Sequence, residues 1–296
     1  VTSDSSKTAA DPARKVGGMI ERARSFIWHS ARVLEQRRFE HLFDGAGAEP
    51  VLTALLAYRN TDGGYGHALE PDGRGPTSQP LHVLTALHLL DELGAKEHVP
   101  PVLDFLTAIT APDGGLPMGL PTARDHPHAP WIAIEETGGL LLTAQVAAAL
   151  HKIGAEHPWL DAATDYCWRH IEALTATHPY EAGACVQFLD RVPDRARAEQ
   201  HAERLGRLVR DGMSHEGYDA AETHQPHDFA PVPTSLARRW YSDEEFDRSL
   251  DELVAAQEED GGWNFAWGRW TPVTEFEWRP IVTIEALLKL RAYGRI

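Results

Sequence analysis

Cysteine is almost absent from this chain: Cys167 and Cys185 are the only two. That excludes a disulfide framework and a four-cysteine zinc site, and it makes a reducing, cytoplasmic setting the expectation. Positive charge is scarce as well, with 28 Lys and Arg against 44 Asp and Glu and a formal net charge of −16. A surface of that sign repels phosphate backbones and anionic headgroups, so no nucleic-acid partner and no membrane-surface partner held by charge neutralisation is expected. No run approaches the ~20 uninterrupted apolar residues of a membrane span. Sustained two-residue alternation is missing too, which leaves no pattern for half-buried strands.

What the chain does contain is apolar residues at helical spacing almost throughout, so an all-α fold is expected. The pattern places helices over 14–43, 50–59, 81–93, 101–109, 135–153, 160–174, 180–189, 196–210, 233–240, 243–257 and 280–293. The first is long enough to break, and Gly17-Gly18 is the expected place. Pro50, Pro80, Pro101, Pro233 and Pro280 stand where helices begin, because a first-turn N–H has no helical partner to lose. Residues 1–13 are polar and read as a disordered tail ahead of a single domain over 14–296.

An internal repeat organises that domain. Asp-Gly-Gly occurs at Asp62, Asp113 and Asp260, each time after a helix, and Asp211-Gly212 is a degenerate copy. All four fit a period near fifty residues with one unmarked copy between, which implies about five to six helical hairpins. Such hairpins either stack into an open solenoid or close into an α/α toroid with inner and outer helices. The segment Gly138 to Leu150 is small and apolar on nearly every face, whereas 196–210 and 243–257 carry charge on one side. A helix apolar all round belongs inside, so the toroid is favoured.

Gln257-Glu258-Glu259-Asp260-Gly261-Gly262-Trp263 resembles the glutamine–tryptophan repeat of the terpenoid cyclase and protein prenyltransferase superfamily. Asn60 to Gly66 and Pro112 to Leu116 are similar to weaker copies of it. The resemblance spans most of the chain from Pro50 to Gly294 and implies an α/α toroid whose cavity holds an isoprenoid or another apolar small molecule. Cyclases of this superfamily carry an Asp-x-Asp-Asp-Thr signature, whose nearest counterpart here is Ala133-Ile134-Glu135-Glu136-Thr137. Position by position, the resemblance gives Glu135 the place of the proton donor and Glu136 that of its neighbour.

The residues themselves leave alternatives open. Two acids before an apolar helix either cap its N-terminus or stand buried at a cavity mouth with raised pKa values. The loop His67 to Pro76 is long and rich in chemistry, with Glu70 and Asp72 as an acid pair steadied by Arg74, or else as a structural turn network. His224, His227 and Asp228 could hold a divalent ion, a less favoured reading than hydrogen-bonded turn residues, and no other metal or cofactor is expected. Trp263, Phe265, Trp267, Trp270, Phe276 and Trp278 crowd sixteen positions, either as core or as a π-lined wall for a cationic intermediate.

The leading expectation is acid-initiated cyclisation or isomerisation of an apolar, isoprenoid-like substrate. Glu135, Glu136, Glu70 and Asp72 would be catalytic, and His67, Arg74, Trp131, Trp267, Trp270, Trp278, Glu277 and His227 would meet the substrate. Two other readings stand beside it: a non-catalytic toroid that binds a lipid or a partner, and a carbohydrate-active α/α barrel with carboxylates paired across a sugar.

Overall fold

The computed structural model describes residues 12–213 and 224–296, with side chains from Gly18 onward. The expected N-terminal tail lies outside the described residues, save for residues 12 and 13, which open the first helix. The protein is all-α. Its helices are α1 (Pro12–Ser30), α2 (Val33–Phe43), α3 (Glu49–Leu56), α4 (Pro80–Leu93), α5 (Val99–Ile109), α6 (Leu140–Ile153), α7 (Pro158–Ala173), α8 (Pro179–Arg191), α9 (Arg195–Asp211), α10 (Pro226–Phe229), α11 (Asp243–Ala255) and α12 (Pro272–Ala292). Among the described residues no strand forms, and no helix is long and apolar enough to cross a membrane.

Three expectations change. The long first helix breaks at Ala31-Arg32, not at Gly17-Gly18, which α1 runs straight through. Arg32 takes an extended backbone there because its guanidinium is drawn away to the carbonyls of Ala68 and Leu69. Pro280 lies inside α12, whose start is set by Pro272, at the cost of one main-chain bond that proline cannot donate. The segment 233–240 is a turn followed by a short 3₁₀ helix, Leu236–Trp240.

Several even-numbered helices pack on one another. α4 meets α6, α6 meets α8, α8 meets α10, and α12 meets α2. Odd-numbered helices flank them, α1 against α12 and α7 against both α5 and α6. The difference shows in composition: α6 buries residues around most of its circumference, whereas α9 buries only a stripe of Ala198, Ala202, Leu205, Gly206 and Val209. A larger core cluster runs from α2 to α11, and a smaller one joins Met19, Ala23 and Phe26 of α1 to Ile284, Leu287 and Leu290 of α12.

The three Asp-Gly-Gly copies adopt one conformation. In each, the aspartate Oδ1 accepts the N–H of the second glycine, at 2.9, 3.0 and 3.0 Å for Asp62, Asp113 and Asp260. The first glycine has a left-handed backbone, φ 87°, 94° and 95° for Gly63, Gly114 and Gly261. Each aspartate then reaches towards the next even helix: Asp62 to Ser78 Oγ, Asp113 to the Gly138 N–H, and Asp260 to Arg279. One side chain therefore closes the turn and sets the start or the first turns of the helix that follows. Of the degenerate copy, Asp211 ends α9 and Gly212 is left-handed at φ 123°; the rest falls outside the described residues.

Gln257 and Trp263 join the last repeat to the first helix. Gln257 Nε2 donates to the Met19 and Gly261 carbonyls at 3.0 and 2.9 Å, and its Oε1 accepts from Arg22. Trp263 is buried, with its indole N–H on the Leu253 carbonyl at 2.8 Å. A Cβ on Gly261 would stand 2.2 Å from the Arg22 carbonyl oxygen. Gln257→Ala should lower unfolding free energy by about 1–2 kcal/mol, and Trp263→Ala by about 3–5 kcal/mol. Urea denaturation checks both, with Gly261→Ala expected to match or exceed the glutamine variant.

Candidate functional site

The loop from His67 to Pro76 lies between α3 and α4, at the end where the even helices begin. It opens with two successive non-glycine residues in the left-handed region, His67 at φ 58° and Ala68 at φ 60°. Such backbone costs roughly 1–2 kcal/mol per residue, so it persists only where other contacts over-determine it. Here the contacts are specific. Arg32 donates to the Ala68 and Leu69 carbonyls at 2.6 and 3.2 Å, and its charge is matched by Glu35 at 2.6 Å and by Glu277 at 3.8 Å. The Asn60 side chain meets His67 Nε2 at 3.1 Å. Downstream, the loop pairs with the segment before Trp131: the Arg74 N–H donates to the Pro127 carbonyl at 2.9 Å, and the Ala129 N–H to the Asp72 carbonyl at 2.8 Å.

At the centre stands Asp72, with only 4% of its surface exposed. Three indole N–H groups converge on its carboxylate: Trp270 at 2.9 Å and Trp278 at 3.1 Å on Oδ1, and Trp131 at 3.2 Å on Oδ2. Burial raises the Asp72 pKa, and the three N–H donors and Arg74 pull it back. Trp267 packs edge-on against Trp278 with ring centres 4.9 Å apart, and Phe265 lies 4.7 Å from Trp267. Arg74 forms a two-pronged ion pair with Glu277 of α12. The aromatic run after the last Asp-Gly-Gly turn thus divides. Trp263 is core, while Trp267, Trp270 and Trp278 gather with Trp131 around one acid.

Glu70 lies behind Asp72 and is 8% exposed. Its Oε2 accepts the Asp72 N–H at 3.0 Å, and its own N–H donates to His82 Nδ1 at 2.9 Å. Burial, reinforced by the Asp72 charge, pushes the Glu70 carboxyl from 4.5 up to about 8. Burial and the nearby Arg32 push the His82 imidazole down to about 3. His82 is therefore neutral at physiological pH. Because its Nδ1 accepts, the ring proton is on Nε2, which is buried without a partner among the described residues. The site thus places an acid that burial favours in its protonated form two residues from a buried carboxyl that accepts three indole N–H groups.

Other expected residues stand elsewhere. Glu135 and Glu136 are exposed in the loop before α6, which begins only at Leu140. They neither cap that helix nor enter the cluster, and the N–H of Gly138 is satisfied by Asp113 instead. The premise of a buried donor at Glu135 is thereby overturned. His227 is buried on α10, its Nδ1 2.5 Å from Ser249 Oγ, and is remote from the tryptophans in sequence and in partners. Asp228 pairs with Lys289 at 2.6 Å, and His224 meets Tyr180 edge-on and lies tilted against Phe229. Among the described residues no group of three or more His, Cys, Asp or Glu is arranged to hold a metal ion. Both cysteines are buried, which pushes their thiols up.

Two contributors escaped sequence reasoning. Arg32 sits in what reads as unbroken helix, and no glycine or proline marks the break beside it. His82 follows Pro80 on an apolar helix, where a lone histidine carries no signal. No protein-family profile matches the chain, and neither does any curated protein.

Folding favours the protonated form of Glu70. Its contribution to stability is therefore full below pH 4.5 and is lost as pH rises towards about 8. Unfolding free energy of the wild type should fall across that window, and Glu70→Gln should flatten the fall. Asp72→Ala strands three indole donors and should cost roughly 3–5 kcal/mol. Denaturant titration and near-ultraviolet circular dichroism would register that change as lost stability and a weakened tryptophan signal.

Proposed function

We propose that the chain is an acid-catalysing enzyme built as an α/α toroid, acting on an isoprenoid-like apolar substrate at the tryptophan-lined end of its inner helices. Six hairpins supply the ring in this reading, odd helices outside and even helices inside. It is supported by the packing of α12 on α1 and α2, and by ion pairs that join even helices, Arg38 of α2 with Glu92 of α4 and Lys289 of α12 with Asp228 of α10.

The observation that carries the chemistry is the pairing of a buried Glu70, favoured in its neutral form, with an Asp72 carboxyl that accepts three indole N–H groups. Acid-initiated isomerisation needs a proton donor that is still protonated near neutral pH, and burial gives Glu70 that property. It also needs a surface that favours positive charge once the proton has been delivered. An indole whose N–H is engaged by a carboxylate is polarised towards greater electron density in the ring, which strengthens its attraction for a cation. In the proposed step, the Glu70 O–H bond breaks and a C–H bond forms at an alkene carbon, leaving a carbocation beside the tryptophans. Loss of a neighbouring proton back to a carboxylate restores the alkene, with no change of oxidation state.

Acids with raised pKa values favour this reading over a non-catalytic carrier. The carbohydrate-active alternative draws less support. Glu70 and Asp72 share one loop, Glu277 is tied to Arg74, and Glu135 is exposed in a separate loop.

Incubation with farnesene or squalene in deuterium oxide tests the proposal, because proton-initiated isomerisation writes deuterium into the recovered hydrocarbon. Uptake is expected with the wild type and should drop by about 10²-fold or more in Glu70→Gln with the fold retained. Uptake that is absent from the wild type, or equal in the variant, removes Glu70 from the chemistry.

A further inference from the structure

A cleft of about 440 Å³ lies between α9 and the 3₁₀ helix Leu236–Trp240, and it shares no residue with the tryptophan cluster. Its floor is apolar. The Trp240 indole donates its N–H to the Ala202 carbonyl at 3.0 Å and lies against Gly206, where a Cβ would stand 2.5 Å from the ring. Ala202 and Leu236 are buried beside it, while Trp240 keeps part of its surface open to solvent.

The walls are charged, and the charges are sorted along α9. Glu199 and Glu203 stand in its first half, Arg207 and Arg210 in its second, and all four are exposed. Arg210 is tied to Glu245 of α11 at 2.8 Å, but Glu199, Glu203 and Arg207 have no ion pair among the described residues. Glu203 and Arg207 are one turn apart, the spacing at which an acid and a base pair along a helix, yet no ion pair joins them. Asp211 and Arg239 complete the lining, so three acids balance three arginines in a chain whose formal net charge is −16. Two copies of so acidic a protein repel at long range, and least where a patch is neutral.

The order acid, acid, base, base on one helix is its own complement when a second copy of that helix runs antiparallel. A two-fold axis level with Leu205 sets Glu203 opposite Arg207 and Glu199 opposite Arg210. Each pair occurs twice, about 3 Å and about 8 Å along the helix from the axis, because a two-fold contact uses the same patch on both subunits. A ligand of one charge sign would satisfy only half of the cleft.

We propose that α9 and the Leu236–Trp240 turn form the interface of a two-fold symmetric homodimer, in which Glu203 of each copy pairs with Arg207 of the other, and Glu199 with Arg210. The open part of Trp240 is covered by the same contact, which adds apolar burial to ion pairs that are worth little at an open surface. The interface is independent of the chemistry proposed for the tryptophan cluster.

Sedimentation equilibrium of the protein tests it. The wild type should be dimeric at micromolar concentration in about 0.1 M salt and should dissociate more readily in about 1 M salt, where the charges are screened. Glu203→Arg and Arg207→Glu each set like charges against each other on both sides of the axis, and each should weaken dimerisation by about tenfold or more. Combining the two reversals in one chain restores opposite charges and should recover dimerisation to within about threefold, and an equimolar mixture of the two single variants should form a heterodimer. Circular dichroism checks each fold, and Glu199→Arg, which sets like charges against Arg210, replaces a single variant that does not fold. A wild type that stays monomeric, a dimer indifferent to both reversals, or a double variant as weak as its parents overturns the interface.

Discussion

A single buried carboxyl, that of Asp72, holds the tryptophan-lined end of this protein together. Asp72 accepts indole N–H groups from Trp131, Trp270 and Trp278, which belong to two connections and one helix far apart in sequence. An acid with so little exposure would give up its charge were it alone. Three donors and the nearby Arg74 offset part of the burial cost of that charge, and in return the carboxyl fixes three large rings. Everything that positions Asp72, from the Arg32 clamp on the left-handed His67 and Ala68 to the backbone pairing with Pro127 and Ala129, therefore also positions the aromatic wall.

The repeated turn explains how such a loop can be presented at all. Each Asp-Gly-Gly aspartate caps its own turn and ties it to the even helix that follows. Once both ends of a connection are anchored in this way, its length can vary without disturbing the packing of helices. The connection after Asp62 and that after Asp113 are both long, and they meet over Asp72. Gln257 and Trp263 apply the same device at the seam, where the last turn is stitched to α1.

The protonation states follow from the same burial. Burial favours the neutral form of Glu70, with the carboxyl of Asp72 reinforcing it, and burial favours neutral His82, with Arg32 reinforcing it. A neutral acid, a held charge and polarised indoles are complementary requirements of proton-initiated chemistry on an alkene.

Much of this was legible in the sequence because it is local. Helical periodicity, the period near fifty residues and the glutamine–tryptophan turn follow from short-range spacing, and so does the grouping of Trp267, Trp270 and Trp278. The loop His67 to Pro76 was recognisable by its length and chemistry. Tertiary structure alone decided which acid is buried. Glu135 and Glu136 stand where an apolar helix ought to enclose them, but α6 starts later and leaves them in water, whereas Asp72 is enclosed by segments more than fifty residues distant. Burial, and with it pKa, is a property of everything packed around a group, and no local pattern encodes it. Arg32 and His82 were invisible for the same reason: each acts through a partner that only the folded chain brings near.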